Sequence, residues 1–321
     1  MMKVTVTGEV DSLAPHALTR TASAETRTHA PSRFADYCEL TKPRIAVMAL
    51  FTVAAGYLLG AGANAEWRVL LHTLLGAGLV AAGGSALNQL FERKIDARMR
   101  RTANRPLPAG RLKAEEAAAF GAGLAGAGLA YLAATVPAPA TIACAITFVA
   151  YAFVYTPLKT VTAWNTAVGA VPGALPPVIG WYAACGWDGW AGWEGAAVLF
   201  GILFLWQIPH FLAIAWMYRD DYAAGGLKML PGCDASGRRT AAVMTLTAFA
   251  LIPLGIIAPA VGLGSWLFAI GATACGLFFL RRAVEFTRHR TDEKARRVLR
   301  ASLLYLPGVF AVLMIDALLV K

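Results

Sequence analysis

Nine runs of apolar residues, each roughly 20 residues long, occupy most of this 321-residue chain. That is the length at which an α-helix crosses the hydrocarbon core of a bilayer. In lipid, only helices and closed barrels satisfy every backbone N–H and C=O. A barrel would show apolar and polar residues alternating over segments of about ten residues, and these runs do not alternate. They fall at 45–62, 69–90, 114–135, 138–157, 165–186, 195–217, 240–260, 263–281 and 299–319. The fold class is therefore all-α, a polytopic membrane protein of about nine transmembrane helices. Composition agrees: 58% of residues are hydrophobic and 15% charged, against about 25% charged in an ordinary soluble domain. A soluble enzyme, a disulfide-rich secreted domain and a disordered chain are excluded. The five cysteines, Cys38, Cys144, Cys185, Cys233 and Cys275, show no CxxC or other metal-like spacing and read as small apolar fillers or loop thiols.

The net charge of +10 would suggest nucleic acid in a soluble protein. Here the basic residues are sorted by side. Counted over the tail and the connections between runs, 27 of the 29 Lys and Arg residues fall on one face of the membrane. The positive-inside rule makes that face cytoplasmic, with the N-terminus inside and the C-terminus outside. The charge is thus topology, and no nucleic-acid partner is expected. Residues 1–35 are rich in Thr, Ala, Ser and His, with no apolar run and with Glu9, Asp11 and Glu25 among them. They read as neither a signal peptide nor a mitochondrial presequence. Residues 1–37 are expected to form a disordered cytoplasmic tail, and 38–321 the membrane domain.

Small residues recur in the second run (Gly76, Gly78, Gly83, Gly84) and the third (Gly121, Gly123, Gly126, Gly128), a pattern that lets helix backbones approach closely. The fifth run carries Pro172, Pro176 and Pro177 beside Gly173, which predicts a broken helix.

The chemistry-bearing residues gather on the basic face. Asn88, Glu92 and Asp96 are spaced i, i+4, i+8, one stripe of a helix. Three oxygen-bearing side chains in line suit a hard divalent cation. Mg²⁺ typically takes one or two carboxylates and completes its shell with phosphate oxygens. Arg98, Arg101 and Arg105 follow in the same loop; they would repel a bare cation but suit a Mg²⁺–polyphosphate. A solvated loop would explain the basic residues but not the aligned oxygens. A second acidic cluster, Asp220 and Asp221, lies on the same face between Arg219 and Tyr222, with Lys228 beyond. Adjacent acids repel, so a shared cation is one reason to pair them; loop solvation is another. Tyr155 and Lys159, one turn apart around Pro157, and Lys42 and Arg44, flanking Pro43, are candidates for a diphosphate or simply interfacial anchors. His210 lies ten residues before Asp220, about 15 Å deeper in the membrane if helical. A polar residue at that depth is a functional candidate. His72 and Asp316 read as interfacial on the opposite face.

The run Asn88…Glu92…Asp96…Arg98…Arg101-Thr102-x-Asn104-Arg105-Pro106-Leu107-Pro108-x-Gly110-Arg111 resembles the first signature of the intramembrane polyprenyltransferases, and within them the members that farnesylate protohaem. Leu40-Thr41-Lys42-Pro43-Arg44, Tyr155-Thr156-Pro157-Leu158-Lys159, Asn165…Pro172-Gly173 and Pro209-His210-Phe211 through Asp220-Asp221 to Pro231 extend the resemblance over residues 38–231. Glu92 stands where that family usually has Asp, and the two acids of its second motif are adjacent here. The resemblance implies nine helices around a central cavity opening to the cytoplasmic side, in the cell inner membrane. It implies farnesyl diphosphate and haem b as substrates, with Mg²⁺ as cofactor. Asn88, Glu92 and Asp96 would hold one Mg²⁺, with Asp220 or Asp221 holding a second. Lys42, Arg44, Arg98, Arg101, Arg105, Tyr155, Lys159, Arg219 and Lys228 would bind the diphosphate, and His210 is a haem-contact candidate. Haem A synthase or oxidase assembly factors would be downstream partners. An aromatic quinone-precursor acceptor, or a transporter built on the broken fifth helix, remain open at this point.

Overall fold

The computed structural model describes residues 32–319, and helices are the only regular secondary structure among them. A short helix, α1 (Arg33–Thr41), precedes the first span, α2 (Pro43–Ala61). α3 (Trp67–Asp96) and α4 (Ala114–Thr135) follow. The fourth span is α5 (Ala138–Val149), a π-helical turn over Ala150–Tyr155 and a last turn, α6 (Thr156–Leu158). The fifth is α7 (Asn165–Ala174) and α8 (Pro176–Cys185); the sixth is α9 (Trp193–Met217). The short α10 (Arg219–Ala224) leads to α11 (Arg238–Ile257), α12 (Trp266–Arg288) and α13 (Asp292–Leu319). Among the described residues, nine stretches are long and apolar enough to cross a membrane, as the hydropathy pattern predicts.

Several helices outrun the apolar segments that announce them. The eighth span runs to Arg288 and the ninth starts at Asp292. Apolar content marks the part of a helix in lipid, whereas backbone bonding continues into water where residues such as Arg281, Arg282 and Glu285 tolerate helical geometry. α1 likewise begins at Arg33, inside the stretch expected to be tail; residues 1–31 lie outside the described ones. Asp36 on α1 is buried and takes a 2.8 Å bond from the Arg111 Nε, so these residues are tied down.

Of three apolar clusters, the two larger ones join most of the spans. One gathers α9, α11, α12 and α13 around Phe268, Phe279, Phe286, Tyr305 and Phe310; the other gathers α2 to α5 and α8 around Tyr57, Leu70, Leu132 and Ile179. α2 packs on α8, and α13 returns to α2, where the Phe310 and Phe51 rings meet edge to face at 5.9 Å. Outward residues such as Ile45, Leu71, Leu246, Ile270 and Leu304 are exposed, as a lipid-facing belt requires.

The small residues do part of the expected work. Gly76 packs on Gly128 and Gly83 on Gly121, so α3 and α4 touch backbone to backbone, while Gly123 and Gly126 face open space. A tighter contact joins α2 to α8: a Cβ on Gly56 or Gly180 would overlap the backbone of Pro177 or Val53. The fifth span breaks at Leu175, ahead of Pro176 and Pro177. Asp316 adds a structural role to its sequence reading. It lies beside the start of the eighth span but is buried against the protein, and its carboxylate accepts the Ser265 N–H (2.7 Å), the Ser265 hydroxyl and the Phe268 N–H (3.2 Å). It therefore caps α12 from the neighbouring helix, where free N–H groups and the helix dipole favour an anion. His72 bonds the Tyr131 hydroxyl at 2.6 Å.

Candidate active site

The C-terminal end of α3 carries the stripe that the sequence predicts. Asn88, Glu92 and Asp96 are all buried, and each faces a cation brought by a different segment. Lys42 donates to Asn88 Oδ1 at 2.6 Å. Lys159 donates to Glu92 Oε1 at 2.5 Å. Arg105 donates to Asp96 Oδ2 at 2.7 Å. Burying an unpaired charge is costly, so these pairings account for how two carboxylates survive out of water.

Each cation is placed by local structure. Lys42 sits in the break between α1 and α2 at φ 49°, ψ 57°, the left-handed conformation, and is the one non-glycine there among the described residues. Such a backbone costs about 1–2 kcal/mol and persists only where the surroundings enforce it. Here Gln89 enforces it, donating from Nε2 to the Glu39 and Leu40 carbonyls at 3.0 and 3.2 Å, which pins the end of α1. Burial, and then the charge of Lys159, pulls the Lys42 ammonium down to about 7. Burial also works against the Lys159 charge, but Tyr155 and Glu92 beside it hold that ammonium above the ordinary lysine range. Arg105 belongs to a loop that Arg111 anchors to Asp36 and to the Asn104 carbonyl, and that the Thr102 hydroxyl ties to the Asp96 carbonyl.

The π-helical turn supplies the aromatic wall. A π turn inserts one residue into a helix and is frequent at functional sites. Here Tyr151 and Tyr155 stack at 5.9 Å, and Lys159 lies 4.6 Å from the centre of the Tyr155 ring, a cation–π contact. Gly169 lies against that same ring, leaving no room for a side chain. Thr156 gives its hydroxyl to the Tyr151 carbonyl at 2.9 Å and accepts Asn88 Nδ2 at 3.0 Å. The Asn88 amide is thus oriented with Oδ1 toward Lys42.

α10 closes over the loop after α3. Asp221 accepts the backbone N–H of Arg100 at 2.8 Å, and Arg101 reaches the Tyr222 hydroxyl at 3.3 Å while lying over the Tyr218 and Tyr222 rings. Burial pushes the Tyr222 hydroxyl above its usual range. Asp220 points outward and is exposed, so the two acids diverge. Arg219 is not brought to the cluster: it bonds Asp292 at 2.7 Å and the Trp216 carbonyl, because residue 219 starts α10 on its α13 side. Arg44, Arg98 and Lys228 have exposed side chains. The Lys228 backbone instead clamps the site, its N–H bonding the Lys159 carbonyl and its own carbonyl accepting Asn165 Nδ2, both at 2.8 Å.

His210 bonds α13. Its Nδ1 is 2.8 Å from Ser302 Oγ, and that hydroxyl donates to the Leu299 carbonyl at 2.6 Å. With its proton committed, Ser302 can only accept, so Nδ1 carries the imidazole hydrogen and Nε2 keeps a lone pair. Three residues before His210 on α9, Gln207 donates to the Ala170 carbonyl at 2.8 Å and lies against Gly173.

No group of three or more His, Cys, Asp or Glu side chains able to hold a metal forms among the described residues. The donors on α3 are instead two carboxylates and an amide oxygen, hard ligands too few for a protein cage but suited to Mg²⁺ that shares phosphate oxygens. Sequence reasoning missed Gln89, Tyr151, Thr156, Asn165 and Tyr222 as contributors. Thr156, Asn165 and Tyr222 stand inside the quoted motifs, which is the one signal that points to them.

The family model described as the UbiA prenyltransferase family matches residues 49–305. The chain is 45% identical over 290 residues to the protoheme IX farnesyltransferase of Solibacter usitatus, covering 88% of this chain and 98% of that protein. It is 44% identical over 281 residues to the protein of the same name from Salinibacter ruber, with 88% and 98% covered. It is also 43% identical over 272 residues to the mitochondrial protein of that name from Arabidopsis thaliana, covering 84% of this chain and 62% of that one. Among solved structures, a digeranylgeranylglyceryl phosphate synthase superposes with a TM-score of 0.74 at 18% identity, covering 88% of this chain and 98% of that one. A UbiA homolog from Archaeoglobus fulgidus bound to GPP and Mg²⁺ superposes at 0.60 and 18% identity, with 87% and 99% covered.

Proposed function

Given that the chain belongs to the UbiA prenyltransferase family, we propose that it transfers the farnesyl group of farnesyl diphosphate to a vinyl group of haem b, giving haem O. It is a multi-pass membrane polyprenyltransferase. The haem acceptor rests on relatives that share one name at 43–45% identity, which leaves the aromatic acceptor and the transporter without support. The observation that carries the reading is the buried stripe Asn88, Glu92, Asp96 with its three matched cations, Lys42, Lys159 and Arg105.

A diphosphate at this mouth competes for those cations. Lys42, Lys159 and Arg105 turn from the protein oxygens to the phosphate oxygens, with Tyr155 and Arg101 beside them. That exchange frees Asn88, Glu92 and Asp96 to hold Mg²⁺, and Asp221, with Asp220 next to it, is the candidate for a second ion. Bound there, Mg²⁺ would neutralise charge developing on the departing diphosphate. The C–O bond of farnesyl diphosphate breaks and its electrons leave with the diphosphate. The terminal vinyl carbon of haem forms the new C–C bond. The adjacent carbon is captured by water, whose proton passes to the diphosphate or solvent, leaving a hydroxyfarnesylethyl group. The apolar helix faces keep water away from the allylic cation until that bond forms. His210 presents Nε2 with its lone pair, which suits a porphyrin iron.

The same charge bias that sorts 27 of 29 basic residues to one side supports a cytoplasmic N-terminus and an outer C-terminus in a cell inner membrane. Product would pass to a haem A synthase or oxidase assembly factors. Purified protein supplied with haem b, farnesyl diphosphate and Mg²⁺ should yield farnesylated haem by mass spectrometry. Diphosphate release without that product would overturn the acceptor, and no release at all the reaction class.

A further inference from the structure

The cytoplasmic mouth does not absorb all the basic residues on its face. Where α12 turns into α13, four cations converge on one carboxylate. Glu285 lies 3.0 Å from Arg282, 3.4 Å from Arg281, and 4.0 Å from both Lys294 and Arg297. Glu293 takes a second bond from Arg297 at 2.6 Å. Arg288 adds a further exposed cation on α12, so positive charge exceeds negative at this hairpin. None of these residues touches the acid stripe on α3.

Beside the cluster lies a groove of about 450 Å³ lined by Leu277, Leu280, Arg281, Val284, Glu285 and Arg288. This spacing is one face of α12. The face changes character along its length. Leu277 and Leu280 occupy the part nearer the hydrocarbon, and Arg281 to Arg288, with Val284 between them, spans about 10 Å of helix toward the cytoplasmic end. An apolar trough that ends under a basic rim matches a molecule with an acyl chain and an anionic head. We propose that the groove binds one anionic phospholipid, its phosphodiester between Arg281 and Arg288 and an acyl chain along Leu277, Leu280 and Val284. Guanidinium groups pair well with phosphate oxygens, and Glu285, which would repel a phosphate, is already held by Arg282 through both carboxylate oxygens at 3.0 and 3.1 Å. A zwitterionic lipid brings its own cation into a site with cations in excess, so the preference is for net negative charge.

The test is native mass spectrometry of the full chain in neutral detergent. It is offered dioleoyl phosphatidylglycerol and dioleoyl phosphatidylcholine in equal amounts, with glycerol phosphate as a separate arm. We expect at least a threefold preference for phosphatidylglycerol, no retention of glycerol phosphate, and loss of the preference in Arg281→Gln/Arg288→Gln. Arg296→Gln, an exposed change in the same hairpin outside the groove, should keep it. Equal retention of the two lipids would overturn the site. So would an Arg296→Gln effect as large as that of the double variant, which means diffuse charge. Retention of glycerol phosphate comparable to lipid would overturn the lipid as occupant.

Discussion

Thr156→Val removes one oxygen and almost no volume, and it isolates the relay that orients Asn88. In the structure the amide is held at both ends, with Lys42 on Oδ1 at 2.6 Å and Thr156 on Nδ2 at 3.0 Å. A diphosphate that draws Lys42 away leaves Thr156 as the remaining restraint. Its direction is fixed, because the hydroxyl hydrogen is already given to the Tyr151 carbonyl at 2.9 Å, so Thr156 can only accept from the amide. Losing one neutral hydrogen bond costs about 1 kcal/mol, which is roughly a fivefold weakening of apparent Mg²⁺ affinity. Both bonding partners are buried, so the orphaned amide and carbonyl should also lower stability by about 1–3 kcal/mol. The assay is farnesylation rate against Mg²⁺ concentration at saturating farnesyl diphosphate, alongside thermal unfolding in detergent. Thr156→Val should raise the half-saturating Mg²⁺ concentration, and Thr156→Ser, which keeps the hydroxyl, should restore it. An unchanged Mg²⁺ curve in Thr156→Val would refute the relay, as would Thr156→Ser behaving like valine.

Other consequences follow from the same geometry. Gly180→Ala should unfold or fail to accumulate, at a cost of at least about 1–3 kcal/mol, because its Cβ would overlap the Val53 backbone; Gly123→Ala, in open space, should behave as wild type in the same detergent melt. Asp234 accepts the Thr240 N–H and hydroxyl at 2.8 and 3.0 Å and the Ser236 hydroxyl; burial opposes its charge, but these bonds hold its carboxyl below the usual range. A lowered folded value means stability that is present above about pH 4 and lost as pH falls through the folded value, so the melting gap between wild type and Asp234→Asn should close in acid. A membrane-impermeant maleimide should label exposed Cys38 and Cys233 in inside-out vesicles and not in right-side-out ones; the reverse would invert the topology. Chelating Mg²⁺ with EDTA should abolish farnesylated haem, and adding excess Mg²⁺ should restore it.

The spans were legible because hydrophobic length is a property of one segment at a time. The stripe on α3 was legible for a similar reason, since i, i+4, i+8 spacing fixes a shared face whatever lies opposite. Partners across helices were not. Nothing in the spacing of Thr156 or Gln89 says that one meets Asn88 and the other the end of α1, separated by 68 and about 50 positions. Arg219 was misplaced for the converse reason. Its neighbours in sequence face the mouth, but the turn into α10 carries it to Asp292 on α13. The burial of Asp316 was not legible either, because the N–H donors at the start of α12 that pair its carboxylate lie about 50 positions away.

The pairing of each oxygen on α3 with its own cation also makes the proposed metal-holding residues fasteners. Lys42 to Asn88 closes a span of 46 positions, and Lys159 to Glu92 one of 67. Removing Glu92 therefore leaves an ammonium stranded where burial opposes it, and the loss of product in such a variant confounds chemistry with assembly. An exchanged pair, Glu92→Lys with Lys159→Glu, separates the two: it should regain the melting temperature that either single change loses, while the enzyme stays silent.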